Sequence, residues 1–227
     1  MAQITYYGHN CFMIESDSKI LTDPYIRDNP LAAHIDPTSL KPDFILLTHG
    51  HSDHVADVKE IAENSGAKVI GIVEVINWVQ RNGYQKVHKL NFGGTYSLSP
   101  YSSVKLVQAV HSSSLPDGSY GGHPGSFILQ IGDKTIFLAG DTVVHMDMQL
   151  FGTQYDFDLA ILPIGGNFTM DLIDAIKASE LLRVTEVIGC HYDTFPVIRI
   201  DHDKARNLFT KAGLTLHLMD IGQTSRF

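Results

Sequence analysis

Cysteine is nearly missing from this chain: Cys11 and Cys190 are the only two in 227 residues, too few for a disulfide framework and typical of a reducing compartment. Both read as buried small hydrophobes, and alternation along an extended segment turns the Cys190 thiol to the face opposite His191. No apolar run approaches the roughly 20 residues that a membrane span needs. Nor does a secretory signal open the chain, since Met1-Ala2-Gln3 passes directly into a strand pattern. The expected location is the cytoplasm, with no membrane partner. Neighbouring basic residues are absent as well, and 17 Lys and Arg against 25 Asp and Glu leave a net charge of −8. This speaks against the basic stripe of a nucleic-acid protein and favours a small-molecule substrate. No serine or cysteine elbow offers a nucleophile. With 44% hydrophobic and 19% charged residues the chain is an ordinary globule, expected to fold as one domain over 1–227.

What it does have is histidine in one place. Thr48-His49-Gly50-His51-Ser52-Asp53-His54 packs imidazoles and a carboxylate into a few positions, the ligand types that zinc and its neighbours prefer. Desolvated imidazoles gain nothing from one another without a cation to share, so the cluster reads as a metal site rather than as a polar loop. Asp43 to Leu47 precedes it as a buried strand, and Val55, Val58, Ile61 and Ala62 follow at helical spacing until Gly66. The ligand types therefore sit on a strand-to-helix loop, where a scaffold holds both flanks.

Further strands are expected within 4–15, then at 19–22, 68–73, 86–90, 95–98, 104–110, 126–131 and 135–138, the last two joined by a Gly132-Asp133 turn. A helix is expected over 55–65 and another over 74–82. The second half alternates strand 159–163, helix 171–183, strand 186–190, helix 202–212 and strand 214–219. Strands gathered first and then alternating with helices imply an α/β protein, with two mixed β-sheets packed face to face and helices outside, a four-layer αββα sandwich. Three more polar residues stand at the carboxyl tips of buried strands: His111, Asp141 and His191. Each is a candidate ligand converging on the same site.

The motif 48–54, His111, Gly140-Asp141-Thr142 and His191 together resemble the metallo-β-lactamase superfamily, over nearly the whole chain. More narrowly, Gly8-His9-Asn10-Cys11-Phe12, Thr22-Asp23-Pro24, the stretch 163–170 and His191 to Pro196 resemble its small cytoplasmic metal-dependent hydrolase branch, related to the ascorbate-6-phosphate lactonases. The resemblance implies two divalent ions, zinc first and manganese, nickel or iron as alternatives. It places His49, His51 and His111 on one, Asp53, His54 and His191 on the other, and Asp141 between them. A hydroxide bridging the metals is then the expected nucleophile, its pKa lowered from about 15.7 to roughly 7. Asp53 steers its proton, and His9 and Asp23 stand where an imidazole or carboxylate orients a ligand; Asp53 and His9 are the candidate catalytic residues.

The implied activity is hydrolysis of a small, anionic ester, lactone or phosphodiester. The competing reading is a metal-dependent oxidoreductase of persulfide-dioxygenase type on the same fold. The diiron electron-transfer members place a glutamate where His51 stands and carry a flavin domain. A silent binding protein is a third reading, against which the full ligand set counts. The appended domains of glutathione thioester hydrolases and tRNA-processing nucleases have no room in this length. Arg27 and Arg199 are candidates for an anion contact, His123 and Asn167 for a substrate contact, and Phe168 and Met170 for an apolar pocket wall. A homo-oligomer completing the pocket is compatible with the resemblance.

Overall fold

In a computed structural model, which describes residues 2–227, the period-2 runs of the sequence become strands. In chain order these are β1 (Gln3–Gly8), β2 (Cys11–Glu15), β3 (Lys19–Thr22), β4 (Phe44–Leu47), β5 (Lys68–Ile72), β6 (Val87–Leu90), β7 (Thr95–Ser99), β8 (Ser102–Gln108), β9 (Gly125–Ile131), β10 (Lys134–Leu138), β11 (Leu159–Pro163), β12 (Glu186–Cys190), β13 (Thr215–His217) and β14 (Thr224–Arg226). The helices are α1 (Ser52–Val55), α2 (Val58–Ser65), α3 (Val73–Arg81), α4 (Asp147–Gln154), α5 (Leu172–Leu182) and α6 (His202–Lys211). Two seven-stranded sheets result, in the orders β14-β1-β2-β3-β4-β5-β6 and β13-β12-β11-β10-β9-β8-β7. Among the described residues no helix is long and apolar enough to cross a membrane.

Alternation decides which layer each side chain joins. In the second sheet Phe127, Leu129, Ile136, Leu138, Ile161, Ile188 and Cys190 enter the core shared with the first sheet, while Ile128, Phe137, Ala160, Leu162 and Val187 face α4, α5 and α6. Helices α2 and α3 cover the first sheet through Val58, Ile61, Val75, Ile76 and Val79. The expected αββα sandwich is the observed architecture. Each fully buried Phe or Ile of this kind is worth roughly 1.5–3 kcal/mol.

Strand direction then gathers the polar tips. Strands β3 to β6 are mutually parallel, as are β10 to β13. Two antiparallel steps each bring β1 into line with β3 and β8 into line with β10. The carboxyl ends of β1, β3 and β4 thus share one edge of the first sheet, and those of β8, β10, β11 and β12 share one edge of the second.

In several places the chain departs from its sequence pattern. The strand signal over 4–15 divides at His9-Asn10 into the β1–β2 hairpin. The helix expected over 55–65 starts earlier, at Ser52, and breaks at Ala56-Asp57. There the Asp57 carboxylate accepts from the Ile26 and Arg27 N–H groups at 2.5 and 3.1 Å, and its own backbone turns to φ −99°, ψ 5°. Periodicity gives no sign of α4, which contains Gly152; this glycine lets it press against α5, since a Cβ there would lie 2.3 Å from the Leu181 carbonyl oxygen. Strand β14 is three residues, Thr-Ser-Arg, too short and polar to register.

Candidate metal centre

Each candidate ligand stands just past one of the gathered strand ends. His9 and Asn10 turn the β1–β2 hairpin, Asp23 follows β3, and Thr48 to His54 follow β4; His111 lies beyond β8, Asp141 beyond β10, and His191 directly after β12. His9 (φ 56°), Asp23 (φ 34°) and His191 (φ 51°) carry left-handed backbone, which costs a non-glycine residue roughly 1–3 kcal/mol and persists only where surroundings enforce it. Those surroundings span both sheets. The His191 N–H donates to the His9 carbonyl at 3.0 Å. Gly140 (φ 62°) lets β10 pass close to β4, for a Cβ there would lie 2.7 Å from Thr48 Cβ.

At the centre is Asp141, only 3% exposed. Its Oδ2 lies 3.1 Å from His191 Nε2, 3.5 Å from His111 Nε2 and 3.9 Å from His49 Nε2, and its Oδ1 lies 3.4 Å from His54 Nε2. Asn10 Nδ2 donates to Oδ1 at 2.8 Å and fixes the carboxylate. The ligand atoms fall into two groups, His49, His51, His111 and Asp141 in one and His9, Asp53, His54 and His191 in the other, the atoms of each lying within 4.8 Å of one another.

Behind them Asp23 sets the rings. It accepts from the Thr48 N–H at 2.8 Å and from the Thr48 hydroxyl at 2.6 Å, and meets His54 Nδ1 at 2.9 Å. Because the Thr48 hydroxyl gives its one proton to Asp23, it can only accept from His49 Nδ1, 3.1 Å away. One carboxylate therefore places the Nδ1–H tautomer on a histidine of each group and leaves both Nε2 atoms for the site. His54 Nε2 is buried with no hydrogen bond, a condition worth about 1–3 kcal/mol that a shared cation would relieve. Imidazole nitrogens and carboxylate oxygens without thiolate suit a divalent ion of borderline softness, so the residues fit a metal.

Electrostatics agree with the geometry. Burial, helped by His54, holds His49 well below the ordinary imidazole range, and burial lowers His51 and His111 too. His9 is pushed down to about 4 by burial and by His191. These rings are neutral, the form that ligates. His54 goes the other way: burial lowers it, but Asp141 and Asp23 at its two nitrogens outweigh burial and raise it well above the ordinary value. Burial raises the carboxylates, yet the His9 hydrogen bond and His54 bring Asp53 below the usual range, while His191 and His54 bring Asp141 well below it. Both carboxylates are held in the anionic form that ligates a cation.

A sequence profile of the beta-lactamase superfamily domain matches residues 3–191, a span containing every residue of this cluster. The chain belongs to the metallo-β-lactamase superfamily. Within it, a UPF0173 metal-dependent hydrolase of Christiangramia forsetii is 45% identical over 224 residues, 98% of each chain. Another, of Thermus thermophilus, is 38% identical and covers 100% of this chain and 99% of its own. Igni18, a metallo hydrolase from the hyperthermophilic archaeon Ignicoccus hospitalis, superposes with a TM-score of 0.89 at 35% identity, covering 100% of this chain and 99% of that one. An isothiocyanate hydrolase from Delia radicum gut bacteria shares the fold alone, with a TM-score of 0.83 at 17% identity over 99% and 98% of the two chains.

In this superfamily member the centre opens into a pocket of about 440 Å³, with His51, Asp53, His111, Asp141 and His191 on its floor and Phe168, Phe195 and Val197 on its walls. His9 lies fully buried behind Asp53 and does not line it, so its expected catalytic contact is an indirect one. Phe168 is a wall as expected, but Met170 is fully buried in the core beneath α4 and α5. Asn167 is exposed in the turn before Phe168. Neither arginine reaches the pocket: Arg27 Nη2 is 2.6 Å from Glu60 Oε1, and Arg199 lies in a separate groove beside Asp171 and Asp201. His123 lies in an adjoining depression with Tyr120. Asn10, Thr48, Thr194 and Phe195 carry no individual signal in the sequence. Each neighbours a candidate ligand or lies within a quoted motif, and that adjacency was the signal available.

Proposed function

We propose that the chain is a hydrolase with a dinuclear metal centre: His49, His51 and His111 hold one ion, Asp53, His54 and His191 hold the other, and Asp141 lies between them. Its substrate is a small ester, lactone or phosphodiester. The observation that carries this reading is the position of Asp141, whose oxygens lie 3.1–3.9 Å from imidazoles of both groups; a carboxylate so placed offsets the repulsion of two cations. When bound, such ions supply Lewis acidity toward a carbonyl or phosphoryl oxygen and bring the pKa of water from about 15.7 to roughly 7. Zinc is the first choice, with manganese, nickel and iron compatible with the same donors.

The protein's own residues do the rest. Asp53 reaches the pocket, its side chain 24% exposed, and its anionic carboxylate is placed to take a proton from attacking water. With Asp53 ionised, His9 Nε2–H donates to Asp53 Oδ2 at 3.2 Å and His9 Nδ1 accepts from the Thr194 hydroxyl at 3.0 Å. His9 thereby holds the angle of the carboxylate. Asp23 and Asn10 do the same for His54 and Asp141.

The test is elemental analysis of protein purified without added metal, followed by a hydrolysis screen over lactones, phosphodiesters and thioesters with each candidate ion. Two ions per chain and turnover of a small ester are expected. One ion or fewer after soaking, or no turnover across the panel, overturns the reading; bound iron with oxygen consumption and no hydrolysis would replace it with redox chemistry.

A further inference from the structure

Two apolar side chains stand in the open at the mouth of the pocket with a third half-buried beside them, and the chain is built to keep them there. Phe168 is 52% and Val197 60% exposed, and with the half-buried Phe195 they line the cavity above the metal centre. Phe168 occupies the tip of a tight turn. Gly166 (φ 70°) and Asn167 (φ 57°) are left-handed, the Phe168 N–H donates to the Gly166 carbonyl at 2.6 Å, and the Met170 N–H donates to the Thr142 carbonyl at 3.2 Å. Met170, fully buried, takes the core position of that loop, so Phe168 is left over for the outside.

The loop after β12 follows the same plan. Ile198 is fully buried at the end of the Pro196–Ile198 turn, while Val197 beside it faces outward. Thr194 ties the loop to His9 at 3.0 Å, and the Phe195 ring meets the His9 ring edge-on at 5.6 Å. Two separate loops therefore each bury one side chain and hold its apolar neighbour over one catalytic floor. Such area is stabilised when something apolar removes it from water.

Charge points the same way. Among the described residues no Lys or Arg lines the pocket, and both candidate arginines lie elsewhere, so an anionic tail on the substrate would find no cationic side chain beyond the metal centre itself; Ser112 is the one neutral polar side chain in the lining. We infer that the non-reacting part of the substrate is an uncharged apolar group, the size of a phenyl ring or short branched alkyl chain, packed against Phe168, Phe195 and Val197. A cavity of about 440 Å³ has room for it. This inference rests on the hydrolase reading only for the position of the scissile group.

Binding of n-alkylphosphonates, methyl to hexyl, to the zinc-loaded full chain tests it by calorimetry without requiring turnover. The common head group meets the metals and only the tail varies. Affinity is expected to rise roughly three- to fourfold per added methylene, and 5-carboxypentylphosphonate to bind roughly tenfold more weakly than hexylphosphonate. Phe168→Ala should flatten the series and Phe168→Leu restore part of its slope; Val197→Ala, at a second exposed position, should flatten it independently. A flat series, no binding of any member, or tighter binding of the carboxylate-ended probe overturns the inference, and would mean that these side chains face solvent or another protein chain. Hydrolysis is scored separately on matched alkyl and phenyl esters. A sloped binding series without turnover sinks the hydrolase reading alone, and turnover with a flat series sinks this one alone.

Discussion

Asp23→Asn is the substitution that tests most sharply how the fold prepares its ligands. The amide keeps the shape of the carboxylate and can still accept from the Thr48 N–H through Oδ1. Its NH₂ then replaces the oxygen that meets both the Thr48 hydroxyl and His54 Nδ1, at 2.6 and 2.9 Å in the parent. Two donors face each other at His54, which pushes the proton to Nε2, the atom a metal needs free. The Thr48 hydroxyl must reverse to accept from the amide, and it then donates to His49 Nδ1, 3.1 Å away, with the same consequence. One substitution should thus weaken binding at both proposed ion sites, each by roughly 10- to 100-fold, the usual effect of losing a partner behind a ligand. In the metal-free protein the hydrogen bond from the raised His54 to a charged carboxylate is replaced by a neutral one, at a cost of about 1–2 kcal/mol, and at roughly 2–4 °C per kcal/mol the melting temperature should fall by roughly 2–8 °C. Chelator competition with elemental analysis measures both affinities, and differential scanning calorimetry measures the melt. Affinities within twofold of the parent at both sites would refute the tautomer argument; a loss confined to the His54 site would refute its Thr48 branch, and one confined to the His49 site its direct branch.

Other substitutions divide the site further. His111→Ala and His191→Ala should each remove one ion preferentially, read as metal per chain after dialysis, and a stoichiometry of two in either variant would show that residue not to be a ligand. Asp141→Asn should reduce activity more than His9→Ala, because the latter removes only the hold on Asp53, worth roughly 10- to 100-fold; equal losses would place His9 at the reacting atoms. In the metal-free protein the raised His54 contributes stability that is complete below about pH 6.5 and is lost as pH rises through its higher folded value. Metal loading should abolish that loss, and metal affinity should fall with pH by up to about tenfold per unit as a proton competes; denaturation and titration across pH 5–9 check both signs. Gly140→Ala should destabilise by several kcal/mol, since it adds a Cβ at φ 62° and 2.7 Å from Thr48, and a melt unchanged within about 2 °C would contradict that packing.

How far the sequence carried the reading depends on how local each signal was. The strands announced themselves by alternation, because burial on one or both faces is written into every second residue, as in Ile136 to Leu138. The histidine loop announced itself because its ligand types lie within one turn of chain. The α1–α2 break, α4 and β14 did not, since each depends on contacts with distant segments: the Asp57 carboxylate with Ile26 and Arg27, Gly152 with α5, and β14 with β1. The expected anion contacts failed for the same reason. Nothing local says that Arg27 pairs with Glu60 or that Arg199 lies in another groove.

By itself, then, the sequence determined the chemistry on offer, which is imidazole and carboxylate at the tips of buried strands, and the two-sheet architecture that its periodicities require. Only the tertiary structure decided which tips meet. Strand direction brings β1, β3 and β4 to one edge and β8, β10 and β12 to another, and the meeting of those edges places Asp141 among rings of both groups, His9 behind Asp53 rather than in the pocket, and Phe168 outside while Met170 goes inside. Such choices depend on distances between residues far apart in the chain, which are set by packing and register rather than by any neighbour in sequence.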